Sequence, residues 1–407
     1  MIAIVGAGAA GLATAIFAAR RGAPAPIVVF DGARRPGAKI LVSGGSRCNV
    51  TNATVTEADF HGAAPHLLRR VLRGFGVAET VAFFRQIGVA LHEEEHGKLF
   101  PDSNRSSTVL GALLAEAARA GVTLRAGERV EAVKAAGPGF VVRTAIGSVS
   151  AARVVLATGG LSLPKTGSDG QGLRLAEAFG HSVVPTTPAL VPLVLSGSFH
   201  NPLSGVSHRA ELVVRSGGRV ADRRTGPLLW THFGISGPVV LDVSRSWLRA
   251  RLGGAEADLE ANLTPGLDFA SAEGELLRAA ADHPRQSVAR ALSQRLPAAV
   301  ADAVSTDAGV GATPLGRLRR DERRGLVRGI VARSLPVVDS RGYAFAEATA
   351  GGVPLAEVDT RTMESRVQPG LFLAGELLDV DGRVGGFNFQ WAWSSAWAAA
   401  GGLACGR

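Results

Sequence analysis

The chain has 407 residues, 46% hydrophobic and 19% charged, which excludes a disordered protein and predicts two or three folded domains. Lysine and arginine outnumber aspartate and glutamate by 44 to 35, and the resulting formal charge of +9 would suit an anionic partner. Only four basic residues are lysines and no block of like charges occurs, so we interpret most of this charge as solvated surface. We therefore expect no nucleic-acid partner. The 52 glycines, about twice the usual share of roughly 7%, indicate instead that backbone passes close to a ligand.

The cysteines and the N-terminal apolar stretch bear on location. Cys48 and Cys405 form no CxxC motif, which excludes a disulfide scaffold and favours a reducing, cytoplasmic compartment. The uncharged stretch 2–19 has no basic residue before it and is interrupted by glycines. We therefore predict a buried strand and a tightly packed helix there rather than a membrane span. The sequence says nothing about the oligomeric state.

The first 31 residues predict a strand, a tight turn, a helix and a second strand. The turn reads Gly6-x-Gly8-x-x-Gly11, and Asp31 closes the second strand 20 positions later. Gly6 allows the tight turn, Gly8 lets the backbone approach a pyrophosphate, and Gly11 lets the helix pack on the strand. Asp31 can accept hydrogen bonds from a ribose. The pattern predicts one dinucleotide site, since no second strand–GxGxxG–helix unit occurs; the glycines of 167–172 have a different spacing.

The rest of the chain alternates between helical and strand-like sequence patterns. Helical periodicity occurs over 66–90 and 108–120, short strands fill 122–151, and two apolar strands end in small residues near 157 and 374. We predict an α/β fold: a Rossmann-like domain with a parallel sheet, helices and a β-meander, plus an inserted β domain and a helical domain. The predicted division is 1–190 with 336–407 for the Rossmann-like domain, 191–265 for the β insertion and 266–335 for the helical cap.

The segment His92-Glu93-Glu94-Glu95-His96 matches the HExxH pattern of zinc proteases. That chemistry requires both histidines on one face of a helix. Strand-like residues precede the segment and Gly97 follows it, so we predict a strand and a polar turn, and no metal site.

Several longer motifs resemble one family. These are the runs Lys39–Asn52 (KILVSGGSRCNVTN), Thr231–Pro238 (THFGISGP), Ala374–Gly382 (AGELLDVDG) and Gly386–Ala392 (GFNFQWA). With the glycine turn, they make the chain similar, from residue 1 to about 404, to the BaiN/YhiN-type bacterial flavoproteins of the glutathione-reductase-like FAD class.

The resemblance implies non-covalent FAD rather than NAD, with Asp31 standing where relatives usually have Glu. It places adenine at the Val130 backbone, Thr158-Gly159 in a second FAD motif, and Gly385–Asn388 beside the flavin pyrimidine ring. The Lys39–Asn52 loop would pass near the pyrophosphate and flavin. The cofactor-binding residues that we expect are Gly6, Gly8, Ala9, Ala10, Gly11, Asp31, Lys39, Ser46, Arg47, Val130, Thr158, Gly159, Gly375, Glu376, Gly385, Gly386, Phe387 and Asn388.

We expect an FAD-dependent oxidoreductase that acts on a small organic substrate, with NADH or NADPH as a candidate electron donor. The candidate catalytic residues are Arg47, Cys48, Asn49 and His232. For Cys48 a small buried residue is the alternative, and for His232 a turn-capping role. Two other activities stay open: amine oxidation with O2, as in aminoacetone oxidase-like relatives, and a flavin-containing protein that binds or modifies RNA. A flavin-binding sensor without turnover is a further alternative.

Overall fold

The computed structural model describes residues 1–24 and 26–405. It divides into two compact units, Met1–Thr186 with Glu347–Arg407, and Thr187–Ala346. The sequence placed the boundaries at 190/191 and 335/336 and split the insertion into two domains. The structure has a single second unit that extends to residue 346, because the strand Val337–Ser340 pairs with Leu193–Leu195 inside that unit's sheet.

The first unit is built on a seven-stranded sheet. Its five parallel strands are Thr123–Ala126, Ile27–Asp31, Ile2–Val5, Arg153–Leu156 and Leu371–Leu373, in that spatial order, followed by the antiparallel Glu364–Ser365 and Val358–Asp359. The central strands are buried on both faces, which explains their uninterrupted apolar sequences. This is the parallel α/β sheet that the sequence predicts.

Helices cover this sheet, and smaller sheets complete the unit. The helices are Ala9–Arg20, Ala38–Ser46, Pro65–Gly74, Val77–Gln86, Ser106–Arg119, Gln171–Glu177 and Phe387–Ala404. The β-meander consists of Val130–Ala136, Gly139–Thr144 and Gly147–Ala151. The shorter strands are Thr51–Asn52, Phe60–His61, Leu91–Glu94, Lys98–Pro101, Ala348–Gly352 and Asp381–Gly382. A further strand, Val184–Ala189, follows the helix Gln171–Glu177 in the chain.

The first helix, Ala9–Arg20, is buried over nearly its whole length. Small side chains let it pack closely against the C-terminal helix Phe387–Ala404. At its end Phe17 lies within 4.8 to 5.2 Å, between ring centroids, of Phe75, Phe83 and Trp397. This aromatic cluster contributes buried apolar area where the helix carries few large side chains of its own. No helix among residues 1–24 and 26–405 combines the length and the apolarity that a membrane crossing needs.

The second unit has an antiparallel seven-stranded sheet with five helices. The strands run Arg333–Leu335, Ala257–Asn262, Ser207–Ser216, Arg219–Thr231, Gly234–Ser236, Leu193–Leu195 and Val337–Ser340, in spatial order. The helices are Pro238–Leu252, Phe269–Asp282, Val288–Leu292, Ala298–Asp307 and Arg320–Val331. Sheet residues such as Leu212 and helix residues such as Val300 and Leu326 belong to one hydrophobic core. A boundary at residue 265 would therefore cut through that core.

Candidate cofactor site

The carboxyl ends of the parallel strands of the first unit meet at one edge of the sheet. Backbone hydrogen bonds from Gly6 N to Phe30 O (2.8 Å), from Ala157 N to Val5 O (2.9 Å) and from Ala374 N to Leu156 O (3.0 Å) hold the ends level. In open α/β sheets ligands bind at this edge. The edge is therefore the candidate cofactor site.

The three motif glycines have three different environments. Gly6 has a φ of +104°, and a Cβ there would lie 2.5 Å from Ala157 O. A Cβ on Gly11 would lie 1.8 Å from Gly6 O, so the helix can approach the turn only without a side chain. At Gly8 a Cβ would meet no atom within 4 Å. Gly8 thus faces open space at the N-terminus of the first helix, which carries no side-chain cap, and this arrangement fits an incoming phosphate.

Asp31 stabilises this turn directly. Its Oδ2 accepts a hydrogen bond from Ala7 N and its Oδ1 accepts one from Ala33 N, both at 2.7 Å. Each carboxylate oxygen has a further lone pair, so the side chain can still accept from a ribose hydroxyl. Contact between Asp31 and the ribose stays a prediction.

Lys39 and Glu376 bind one another across the edge. Lys39 Nζ lies 2.5 Å from Glu376 Oε2 and also contacts the Ser162 hydroxyl. Glu376 Oε1 accepts from Ser162 Oγ (2.7 Å) and from Thr349 N (3.0 Å). The positive charge of Lys39 is therefore balanced by a carboxylate, and contact between Lys39 and the cofactor stays a prediction. Ser162 and Thr349 escaped the sequence analysis because no local motif marks them.

Only the start of the predicted Lys39–Asn52 loop is helical, within the bent segment 38–46. Ser43 leaves the helical conformation, and Gly44 and Gly45 have φ values of +54° and +66°. The chain then continues through Ser46 and Cys48, at φ values of +66° and +63°. This left-handed backbone returns the chain to the sheet edge within a few residues.

Cys48 and Asn49 lie inside the fold after this bend. Cys48 is fully buried, and burial raises the pKa of its thiol to about 12. Asn49 is buried as well, and within the described chain its Oδ1 has no hydrogen-bond partner. A Cβ on Gly386 would lie 2.9 Å from that oxygen. Cys48 is thus a protonated core side chain, while Asn49 adjoins the start of the C-terminal helix.

Arg47 pairs with a neighbouring strand. Its Nη1 lies 2.6 Å from Glu94 Oε1, and its guanidinium stacks 4.0 Å from the centroid of the Phe100 ring. The hydrogen bond from Arg47 lowers the pKa of Glu94. His92, in the same strand Leu91–Glu94, adds a 3.3 Å contact to Glu94. The Arg47 side chain is half-exposed, and its positive charge is balanced by the Glu94 carboxylate.

The HExxH segment is not α-helical, but the strand begins later than predicted: it comprises Leu91–Glu94, so only the end of the segment forms the turn. His92 belongs to the strand Leu91–Glu94, whereas His96 lies in the following turn with a φ of +64°. The two rings therefore do not project from one helix face. Within residues 1–24 and 26–405 no group of three or more His, Cys, Asp or Glu side chains has a metal-binding arrangement.

The C-terminal helix begins at the same edge. Gly385 and Gly386, with φ values of +135° and +93°, lead into Phe387, and no side chain caps the helix. The Asn388 side chain bonds both the N–H (2.8 Å) and the carbonyl (2.9 Å) of Gly382, so it fixes its own loop. The uncapped amides of this 18-residue helix remain available to an acceptor group on a ligand.

Gly375 is held from the same helix by side chains that the sequence analysis missed. Trp391 Nε1 donates to Gly375 O at 3.1 Å, and Ser395 Oγ accepts from Gly375 N at 3.0 Å. Trp391 and Ser395 lie four residues apart on one helix face, which is the only sequence signal that could have linked them.

The segment 167–172, set aside for its glycine spacing, lies against the edge. A Cβ on Gly172 would meet Thr158 Oγ1 at 1.8 Å, and a Cβ on Gly159 would meet Ser168 Oγ at 2.6 Å. The Gln171 side chain donates to the Val130 carbonyl. The segment therefore links the strand of Val130 to Thr158 and Gly159.

His232 is exposed, in the turn between the strands Arg219–Thr231 and Gly234–Ser236 of the second unit, and its ring centroid lies 5.1 Å from that of Phe233. All the other predicted site residues lie in the first unit.

Comparison with known proteins agrees with this geometry. The chain is 34% identical over 404 residues (98% of this chain, 96% of the relative) to the ribosomal RNA dihydrouridine synthase of Escherichia coli. It is 33% identical over 399 residues (98% and 97%) to a 3-dehydro-bile acid delta(4,6)-reductase of Clostridium scindens. A ribosomal RNA dihydrouridine synthase of Haemophilus influenzae is 32% identical over 403 residues (98% and 96%).

Among solved structures, a 3-ketosteroid delta1-dehydrogenase of Sterolibacterium denitrificans superposes with a TM-score of 0.51 at 14% identity, and covers 99% of both chains. This likeness concerns the fold alone. The family profile described as "HI0933-like protein Rossmann domain" matches residues 1–402. The chain therefore belongs to the HI0933-like family and is an FAD-binding oxidoreductase.

Proposed function

We propose that this oxidoreductase reduces a carbon–carbon double bond that is conjugated to a carbonyl group. The observation that carries the proposal is that two differently named relatives, at 34% and 33% identity over nearly the whole chain, share this chemistry by name. Dihydrouridine synthesis saturates the C5–C6 bond of uracil, which is conjugated to the C4 carbonyl. A delta(4,6)-reductase of a 3-dehydro bile acid acts on double bonds conjugated to the C3 ketone. Bound FAD, once reduced, supplies the hydride for such a reaction.

The substrate that we propose is a uridine base of ribosomal RNA. Two of the relatives, from different organisms, carry that name at 34% and 32% identity. The net charge of +9 would favour binding to a polyanion, although most of it was first interpreted as solvated surface. The bile-acid reductase favours a second candidate, a small enone, which is one kind of the small organic substrate that the sequence analysis expects.

The residues of the first unit would have separate tasks in this reaction. Gly8 and the uncapped start of the helix Ala9–Arg20 would receive the pyrophosphate, with Asp31 beside the ribose. The uncapped amides that follow Gly386 would face the flavin ring, and the positive end of that helix would favour the charge of the reduced state. Of the candidate catalytic side chains in this unit, we retain Asn49 as a polar contact, because its buried Oδ1 has no hydrogen-bond partner within the described residues. A proton-donor role for His232 stays a prediction from the sequence.

The electron donor is tested by anaerobic mixing of the FAD-loaded protein with NADH or with NADPH. Loss of the visible flavin absorbance is expected with one of them. If neither bleaches the flavin, the reductase proposal loses its donor, and amine oxidation becomes the next activity to test, with aminoacetone and O2 consumption.

The substrate is tested with an unmodified ribosomal RNA transcript and, in parallel, a 4,6-dien-3-one steroid. After incubation with protein and the donor, the RNA is digested to nucleosides and dihydrouridine is measured by mass spectrometry. We expect dihydrouridine with the FAD-loaded protein and none with the FAD-free protein. Reduction of the steroid alone would favour the second candidate, and no product from either would contradict the proposed reaction.

A further inference from the structure

A groove with a volume of about 810 Å³ opens on the surface of the first unit. It lies between the strand Val130–Ala136 and the helix Gln171–Glu177. None of the motif glycines, Asp31 or Lys39 lines it, but Gln171, whose side chain donates to the Val130 carbonyl beside the sheet edge, forms part of its wall. Its volume lies within the roughly 300–1,000 Å³ that is usual for sites of small ligands.

Two positive charges in the groove are uncompensated. Lys134 on the strand and Arg174 on the helix are exposed, and neither side chain has an ion-pair or hydrogen-bond partner within the described residues. The other charged residues of the groove are paired: Arg129 lies 2.6 Å from Asp169, and Glu131 lies 3.6 Å from Arg143. The groove therefore carries a net positive charge, contributed from both its strand and its helix, which suits an anionic ligand.

The groove also has an apolar floor. Val133 and Leu175 are buried, and Phe179 is half-buried with its ring packed edge-on against Phe140, at 5.8 Å between centroids. The Phe179 ring is thereby held in place. An apolar floor below two cations is a suitable surface for a planar ring that carries an anionic group.

We propose that this groove binds a nucleoside phosphate, with the phosphate between Lys134 and Arg174 and the base against the floor formed by Val133, Leu175 and Phe179. The nucleoside phosphate can be a free nucleotide or one nucleotide of an RNA chain. This site goes beyond the proposed function, because it needs neither FAD nor hydride transfer.

The test uses the FAD-loaded protein, so that the FAD site itself is filled. Binding of 5′-AMP and of a 12-residue oligouridine is measured by calorimetry, and the oligouridine titration is repeated at several salt concentrations. The test variant is Lys134→Glu with Arg174→Glu. The matched control is Arg70→Glu with Arg85→Glu, two exposed arginines on other helices of the same unit, which changes the net charge equally. The visible FAD spectrum checks that both variants keep the cofactor.

We expect the test variant to bind the groove's ligand at least tenfold more weakly, and the control to stay within about twofold of the original protein. For oligouridine the slope of log K against log salt should fall by about 0.7, since a single phosphate is held between the two cations and each phosphate contact on a single strand contributes about 0.7. If the test variant loses affinity only for AMP, the site is assigned to free nucleotides. If it loses affinity only for oligouridine, the site is assigned to RNA.

The proposal is overturned if neither ligand binds the FAD-loaded protein, or if the test and control variants lose the same affinity. It is overturned equally if AMP binds only after FAD has been removed, because the groove would then be an extension of the FAD site. These binding results do not depend on turnover, so they stay separate from the outcome of the dihydrouridine assay.

Discussion

The glycine turn of the first unit allows one added methyl group to separate folding from cofactor binding. Gly8→Ala places a Cβ in open space, at a φ of −80° that alanine adopts without strain. Alanine is a poorer N-cap residue than glycine, so we expect this variant to lose about 0.5–1 kcal/mol of folding stability. Gly11→Ala places a Cβ 1.8 Å from Gly6 O, so the backbone must move. We expect about 3 kcal/mol or more of lost stability.

For FAD binding we expect the opposite order: Gly8→Ala, which costs little stability, should cause the larger loss of affinity. The methyl group of Gly8→Ala would occupy the space through which a phosphate approaches the helix N-terminus. Each charged hydrogen bond lost there is worth about 1.5–3 kcal/mol. Loss of one such bond predicts an FAD affinity lower by a factor of roughly 10 to 150.

Both variants are prepared without FAD, unfolded in urea, and titrated with FAD while the flavin fluorescence is recorded. Near-normal stability with weak FAD binding is expected for Gly8→Ala, and clear destabilisation for Gly11→Ala. The reasoning is refuted if Gly8→Ala binds FAD like the original protein, since the phosphate then does not approach Gly8. Unchanged stability of Gly11→Ala would refute the close packing of the turn.

Three further predictions concern individual side chains. Lys39→Met leaves the largely buried Glu376 carboxylate without its cation, so we expect about 1–3 kcal/mol of lost stability; the double variant with Glu376→Gln should lose less than the sum of the single losses in a urea-unfolding cycle. At pH 8 an alkylating reagent should label exposed Cys405 and spare Cys48 until the protein unfolds, because burial raises the pKa of Cys48 to about 12; mass spectrometry counts the labels, and two labels on the folded protein would contradict this. Hydrogen bonding by the Arg361 guanidinium lowers the pKa of Asp359 from 3.8 to about 2, so its stabilising contribution is complete above roughly pH 4 and is lost as the pH falls towards 2; Asp359→Asn should flatten this part of the stability profile, and an unchanged profile would contradict the assignment.

The parallel sheet and its edge were predictable because their signals are local. Uninterrupted apolar runs such as 2–5 and 153–156 indicate strands buried on both faces, and the spacing Gly6-x-Gly8-x-x-Gly11 indicates the turn between strand and helix. For the same reason a strand followed by a turn was predictable near the HExxH segment, although the observed strand Leu91–Glu94 begins later than the predicted one.

The partners of the site side chains were not predictable in this way. Lys39 meets Glu376 across 337 positions of sequence, and Glu376 meets Thr349 through a backbone N–H that any residue could supply. No pattern in the chain marks such contacts. The extent of the second unit has a related cause: the composition changes near residue 265, but one hydrophobic core continues across that point.

The sequence by itself determined the fold class, the position of the dinucleotide turn and the family, because each depends on residue types at short, regular spacing. Only the tertiary structure decided which of the candidate side chains are free to act. It buries Cys48, pairs Arg47 with Glu94 and Lys39 with Glu376, and leaves Gly8 facing open space. These outcomes depend on burial and on charges brought together from distant positions, and both arise only when the sheet, its helices and the bent segment 38–46 pack together.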